Sequence, residues 1–253
     1  MSAALDGAEL AKPTLVIDRS KLLANVSTLV NHLEGRFNYR IVAKSLPSIP
    51  LLGAIMQASG SNRLMLFHQP FINQVAAHYP QADILLGKPM RVAAAHNFYR
   101  QFEGGNFSPE KQLRWLLDTP ERVSQYHQLA QTLGRDMQVC IELDVGLHRG
   151  GVQNDEQLLT MRGQITASGK LKFCGFMGYE PHVVKVPVGR AESYRDKAMA
   201  IYQHYIDVAR EHLGKRWPED AILNAGGSPT YEMYNLGSYP FNEMAAGSCL
   251  VKP

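Results

Sequence analysis

Two kinds of segment take turns along the chain. Short apolar runs fall at 39–44 (YRIVAK), 63–68 (RLMLFH), 83–87 (DILLG), 113–118 (LRWLLD), 137–144 (MQVCIELD), 171–179 (LKFCGFMGY), 221–225 (AILNA) and 241–250 (FNEMAAGSCL). Between them the apolar residues recur at helical spacing, over 49–59, 71–79, 91–102, 121–134, 156–168, 192–214 and, more briefly, 229–236. A further helix is predicted over 21–34, where Leu22, Leu23, Val26, Leu29, Val30 and Leu33 share one face, Ser20 stands as N-cap and Gly35 ends it. Ahead of it, 14–19 (TLVIDR) reads as a short strand rich in branched residues, and 1–13 as a loose leader.

The apolar runs are continuous rather than alternating, as in strands buried on both faces of a parallel sheet. Strict strand-then-helix order requires crossover connections of fixed hand. Eight strands after residue 38, with seven helices between them and the helix at 21–34 as the eighth, predict a (β/α)8 TIM-type barrel over 14–253, closed by an N-terminal helix. An open doubly wound sheet fits the same order but leaves that front helix without a purpose. The strand at 14–19 is then surplus to the barrel. The longest irregular piece, 181–193, is a candidate active-site loop.

Composition narrows the function. Of 253 residues, 45% are hydrophobic and 19% charged, which excludes a disordered or fibrous chain. The formal net charge is only +3 and no basic block stands out, so no nucleic-acid partner is expected. No apolar run approaches the roughly 20 residues of a membrane span, and the first residues carry no signal-peptide pattern. Three scattered cysteines, Cys140, Cys174 and Cys249, suit a reduced interior, so a cytoplasmic location and no membrane partner are expected.

In a barrel of this kind chemistry sits at the C-terminal ends of the strands. Lys44 and His68 stand there after the first two strands, His148 and Arg149 after the fifth, Tyr179, Glu180 and His182 after the sixth. Lys44 ends the run Ile41-Val42-Ala43, where a desolvated amine would suit Schiff-base chemistry, or a strand-end lysine would snorkel to water. Asn224-Ala225-Gly226-Gly227-Ser228-Pro229-Thr230 could offer backbone N–H groups and two hydroxyls to a phosphate, or serve as a tight turn. Arg149 could hold a carboxylate, a phenolate or a ring nitrogen. His32, His78, His96, His127, His204 and His212 fall in helical segments and read as structural or exposed; no metal-binding spacing connects the histidines.

Taken together, 13–18 (PTLVID), Ala43-Lys44-Ser45, 144–151 (DVGLHRGG) and 224–231 (NAGGSPTY) resemble the fold-type III pyridoxal-phosphate enzymes, within them the D-threonine aldolase and D-serine dehydratase branch, and more distantly alanine racemase. The resemblance implies that pyridoxal 5′-phosphate is bound as an aldimine to Lys44, with Arg149 and Tyr179 beside it. It implies a phosphate held by Gly226, Gly227, Ser228 and Thr230, with Gly247 and Ser248 closing the cup, and His182 as a catalytic partner of Lys44. It implies an amino-acid substrate, a D-amino acid with a β-hydroxyl, undergoing lyase chemistry or racemisation. In such enzymes a C-terminal β domain follows; here it is expected to be missing, the strand at 14–19 would join it, a divalent metal is expected only with it, and the full-length form is expected to be a homodimer. The pattern departs from the branch at Val42 and at Ser45 to Pro47, where histidines are usual, and at Ala225 and Pro229, where glycines are. The alternative functions are a single-barrel, non-catalytic pyridoxal-phosphate homeostasis protein, and a sugar-phosphate barrel enzyme that uses Lys44 without that cofactor.

Overall fold

The computed structural model describes residues 7, 8, 10, 12, 14–234 and 238–251. Eight parallel strands form a closed barrel in sequential order: β1 (Asn38–Val42), β2 (Arg63–Leu66), β3 (Asp83–Leu86), β4 (Leu113–Leu117), β5 (Met137–Leu143), β6 (Leu171–Gly178), β7 (Ile222–Ala225) and β8 (Glu243–Ala246). β1 pairs with β8 from Asn38↔Glu243 to Ile41↔Ala246, which closes the ring. The helices are α1 (Arg19–Leu33), α2 (Ile49–Ser59), α3 (Gln69–His78), α4 (Val92–Gln101), a short α5 (Pro109–Gln112), α6 (Pro120–Leu133), α7 (Asp155–Ser168) and α8 (Ala191–Leu213). The predicted (β/α)8 barrel is what forms, because runs such as Ile84-Leu85-Leu86 and Leu116-Leu117 are wholly buried between helices outside and side chains within.

α1 fills the place after β8, as expected. Leu22, Val26, Leu29 and Leu33 are buried, and Asn25 Nδ2 donates to the Leu250 carbonyl at 3.0 Å. Three local expectations change. The N-cap of α1 is Asp18, whose carboxylate accepts from the Ser20 and Lys21 amides, so Arg19 is already helical and Ser20 is not the cap. Residues 14–18 lie outside any strand: a closed barrel offers no edge, and Leu15, Val16 and Ile17 stand exposed instead. The helix expected over 229–236 is a single 3-10 turn at Tyr231–Tyr234; its last two residues, and the greater part of the leader, lie outside the described residues. β6 also carries a bulge against β5, since Val139 pairs with Phe173 but Cys140 with Gly175.

Towards the N-terminal end of the barrel, the fully buried Arg40 holds Glu243 and Asp83, each at 2.8 Å from Nη2, and donates from Nη1 to the Leu64 and Asp83 carbonyls. Asn224 adds a 2.8 Å bond to Glu243. Without Arg40, the buried Glu243 keeps only Arg63 at 3.5 Å while Asp83 keeps Arg114 at 2.6 Å, and breaking a buried pair of this kind costs roughly 3–5 kcal/mol at most. Arg40→Met is therefore expected to lower unfolding stability by up to that amount in urea titration. Only Asn224 of this set reaches the cleft at the C-terminal end.

Candidate active site

At the C-terminal ends of the strands a small cleft opens, with about 100 Å³ of internal space. Its wall includes Lys44, Ser45, Phe67, Arg149, Tyr179, Gly226, Gly227, Ser228, Gly247 and Ser248. Most of these are sequence candidates from five separate strand ends, and the structure brings them to one cavity.

Lys44 lies just beyond β1, in a 3-10 turn over Ala43–Ser45 that lifts it from the strand into the mouth. Its Nζ is 4.9 Å from the Phe67 ring centroid and 6.0 Å from that of Tyr179. Desolvation, then the charges of Arg149 and Lys88, hold its amine below the ordinary lysine range. A larger neutral fraction near neutral pH makes it a better nucleophile than a surface lysine.

Arg149 reaches the cavity because the loop after β5 doubles back. Asp144 N donates to the Val152 carbonyl and Val152 N to that of Glu142. Gly151, at φ +98°, allows the close approach: a Cβ there would stand 2.8 Å from the Asp144 amide. The guanidinium donates from Nε to Glu142 at 2.7 Å and from Nη2 to the Gly87 carbonyl at 3.1 Å, and its Cζ lies 4.9 Å from the Tyr179 ring centroid. Desolvation pushes the Glu142 carboxyl up and Arg149 opposes it. Glu142 was missed in the sequence, although a carboxylate inside the run MQVCIEL is costly unless paired, and that signal was there to read. Arg149→Gln removes a positive neighbour of Lys44. Its loss raises the lysine's pKa, so imine formation with a simple aldehyde at pH 8 should slow, and its pH profile should move to higher pH.

The turn after β7 is tied on both sides. Ser228 Oγ accepts from the amides of Gly247 at 3.0 Å and Cys249 at 3.1 Å, which joins it to the turn after β8. On the other side the Gly226 amide donates to Glu180. The amides of Gly227, Ser228 and Ser248 donate to no acceptor among the described residues. A Cβ at Gly227 would lie 2.8 Å from Tyr179 Cε2, and one at Gly247 would collide with the Val42 carbonyl. This is a small concave set of backbone donors, of the kind that holds an anion. A cofactor with a phosphate at one end and an aldehyde at the other fits between these donors and Lys44.

Two predicted residues are not brought to the cavity wall. Thr230 is buried beneath the turn; its hydroxyl donates to Glu180 at 2.9 Å and its amide to the Gly227 carbonyl. His182 lies beside Gly146, away from the cavity wall, and burial pushes its pKa down, with His148 adding to the effect. Nearby, Asp144 binds the Gly146 amide and both the amide and ring of His148. Desolvation would raise the Asp144 carboxyl, but those bonds outweigh it and hold it below its ordinary range. Among the described residues no group of three or more His, Cys, Asp or Glu could hold a metal ion, and no helix is long and apolar enough to cross a membrane.

The family model for the alanine racemase N-terminal domain matches residues 17–253. The chain belongs to that family, a family of fold-type III pyridoxal-phosphate barrels. Among solved structures it is similar to the D-threo-3-hydroxyaspartate dehydratase from Delftia sp. HT23, with a TM-score of 0.80 and 17% identity over 96% of this chain and 62% of that one. It is also similar to the alanine racemase of Clostridium difficile 630, with a TM-score of 0.76 and 16% identity over 96% and 62%. An alanine racemase-like protein of Idiomarina loihiensis is 22% identical, at a TM-score of 0.73 and the same coverage. At these identities the likeness is one of fold, and the chain spans less than two thirds of the length of these proteins. No curated protein matches the chain by sequence.

Proposed function

We propose that this barrel binds pyridoxal 5′-phosphate and serves an enzyme that acts on an amino acid, a D-amino acid with a β-hydroxyl, by lyase chemistry or racemisation. One observation carries the reading: a desolvated lysine faces, across one cleft, a cup of backbone amides with no protein acceptor. The dehydratase and racemase among the similar structures support the same reaction classes.

In this reading Lys44 would hold the cofactor through its Nζ, and the bound group would supply withdrawal of electrons from the substrate's Cα. The Lys44 amine, kept below the ordinary lysine range, would take a proton from one face of Cα. Arg149, fixed by Glu142, orients the ring plane together with Tyr179. Gly227, Ser228 and Ser248 bind the phosphate through their amides, and Gly226 and Gly247 keep room for it. Thr230 supports the turn from below, and His182, outside the cavity wall, is given no contact with the cofactor.

The test is turnover by the cofactor-loaded protein of D-threonine, D-serine, D-threo-3-hydroxyaspartate and both alanine enantiomers. Release of aldehyde, release of ammonia with a 2-oxo acid, or inversion at Cα distinguishes aldolase, dehydratase and racemase. A bound cofactor with no turnover of any of them would favour the carrier alternative; no binding at all would overturn the reading.

A further inference from the structure

Glu180 follows Tyr179 yet does not face the cavity, and its side chain is completely buried. Its Oε1 accepts from the Thr230 hydroxyl at 2.9 Å and the Tyr234 hydroxyl at 3.0 Å, and its Oε2 from the Gly226 amide at 3.2 Å. These three donors span residues 226–234, so one carboxyl fixes both ends of the glycine turn and the 3-10 turn that follows it. All three donors are neutral. The groups that face it electrostatically are Tyr179 on its own loop, Tyr202 on α8 and Tyr234 on the 3-10 turn. Three arginines lie against its tyrosine neighbours and are engaged elsewhere: Arg149 beside Tyr179 holds Glu142, Arg195 binds Asp196 and the Met233 carbonyl, and Arg36 binds the Tyr234 carbonyl. A fully buried carboxyl with no cation prefers its protonated form, and burial does push this one up.

We infer that Glu180 is the positioning residue of the anion cup: it sets the glycine turn from beneath, and it takes up a proton when a phosphate occupies that turn. The inference rests on the cofactor reading above, because it needs an anion in the cup. The hydrogen-bond set suits the exchange. Tyr234 and Thr230 are rotors, and the Thr230 hydroxyl has a second acceptor in the Gly227 carbonyl at 3.4 Å. Thr230 can therefore turn its proton to Gly227 and accept one from Glu180, while Oε2 keeps the Gly226 amide. No backbone movement is needed, so proton uptake leaves the cup's shape intact. A negative phosphate on the far side of the turn favours that neutral form further.

The experiment uses pyridoxine 5′-phosphate, which carries ring and phosphate but no aldehyde and so cannot bond to Lys44. Its affinity and the protons taken up on binding are measured calorimetrically between pH 7 and 9, where the phosphate remains a dianion, in two buffers of different ionisation enthalpy. The parent is compared with Glu180→Gln and Glu180→Ala. Glutamine mimics the protonated acid: its oxygen accepts from Gly226 and its amide donates to Thr230 and Tyr234. We expect Glu180→Gln to bind at least as tightly as the parent, with a shallower loss of affinity at high pH and less proton uptake; Lys44 contributes equally to both and cancels. Glu180→Ala should bind roughly tenfold more weakly at every pH, since the turn loses its support. Equal proton uptake in the parent and Glu180→Gln, or equal affinity in Glu180→Ala, would overturn the inference alone. Failure of the parent to bind the probe would overturn the cofactor reading and this with it.

Discussion

Lys44→Ala is expected to abolish the visible absorption of lysine-bound pyridoxal phosphate and the adduct fixed by borohydride. The expectation follows from where the amine stands. Lys44 leaves β1 through a 3-10 turn, faces Phe67 and Tyr179, and is held below its ordinary range by desolvation, Arg149 and Lys88. Lys88 is exposed after β3 and lies outside the cavity wall. Alanine should leave the barrel intact, because the strand register from Tyr39 to Val42 does not involve the lysine side chain. The variant should still bind the phosphate end without a covalent bond, which equilibrium dialysis would register. A covalent adduct in Lys44→Ala as abundant as in the parent would remove the lysine from the account.

The second large effect is expected at Gly227. Its amide is one of the donors without a protein partner, and a Cβ there would stand 2.8 Å from the Tyr179 ring. Valine adds a branched side chain on the face where the phosphate would approach and pushes against the ring that Arg149 stacks on. The expected loss is roughly hundredfold in cofactor affinity, about 2.8 kcal/mol. Unfolding by heat should change far less, because the ties from Ser228 to Gly247 and Cys249 and from Glu180 to Gly226 lie on other atoms. Affinity equal to the parent would make the turn a purely structural element.

What the sequence revealed, and what it concealed, has physical reasons. The barrel was legible because strands buried on both faces must be continuously apolar, as Ile84-Leu85-Leu86 is, and because α1 carries a clear apolar face. Lys44, Arg149 and the glycine turn were legible because a charge or a glycine cluster at the end of such a run stands out. Residues 14–18 pair with no strand of the closed barrel, which has no edge; their expected partner was a further β domain, so the barrel alone does not decide that expectation. Thr230 suggested a phosphate ligand by its place after two glycines; the sequence could not tell that its hydroxyl turns inward to Glu180. Glu142 is the real omission, and Glu180 was placed at the end of the sixth strand but given no role. Each acts through a partner distant in the sequence or hidden under a turn, Arg149 in one case and Gly226, Thr230 and Tyr234 in the other. Such pairings depend on tertiary geometry that no local pattern encodes.

The central claim is that Lys44 and the glycine cup hold the two ends of one cofactor. The measurement that tests it most directly is peptide mapping by mass spectrometry of the parent protein, loaded with pyridoxal phosphate, reduced with borohydride and digested. The account predicts a single phosphopyridoxyl group, on the peptide that contains Lys44. Modification centred on Lys88 or spread over surface lysines, with Lys44 unmodified, would contradict it.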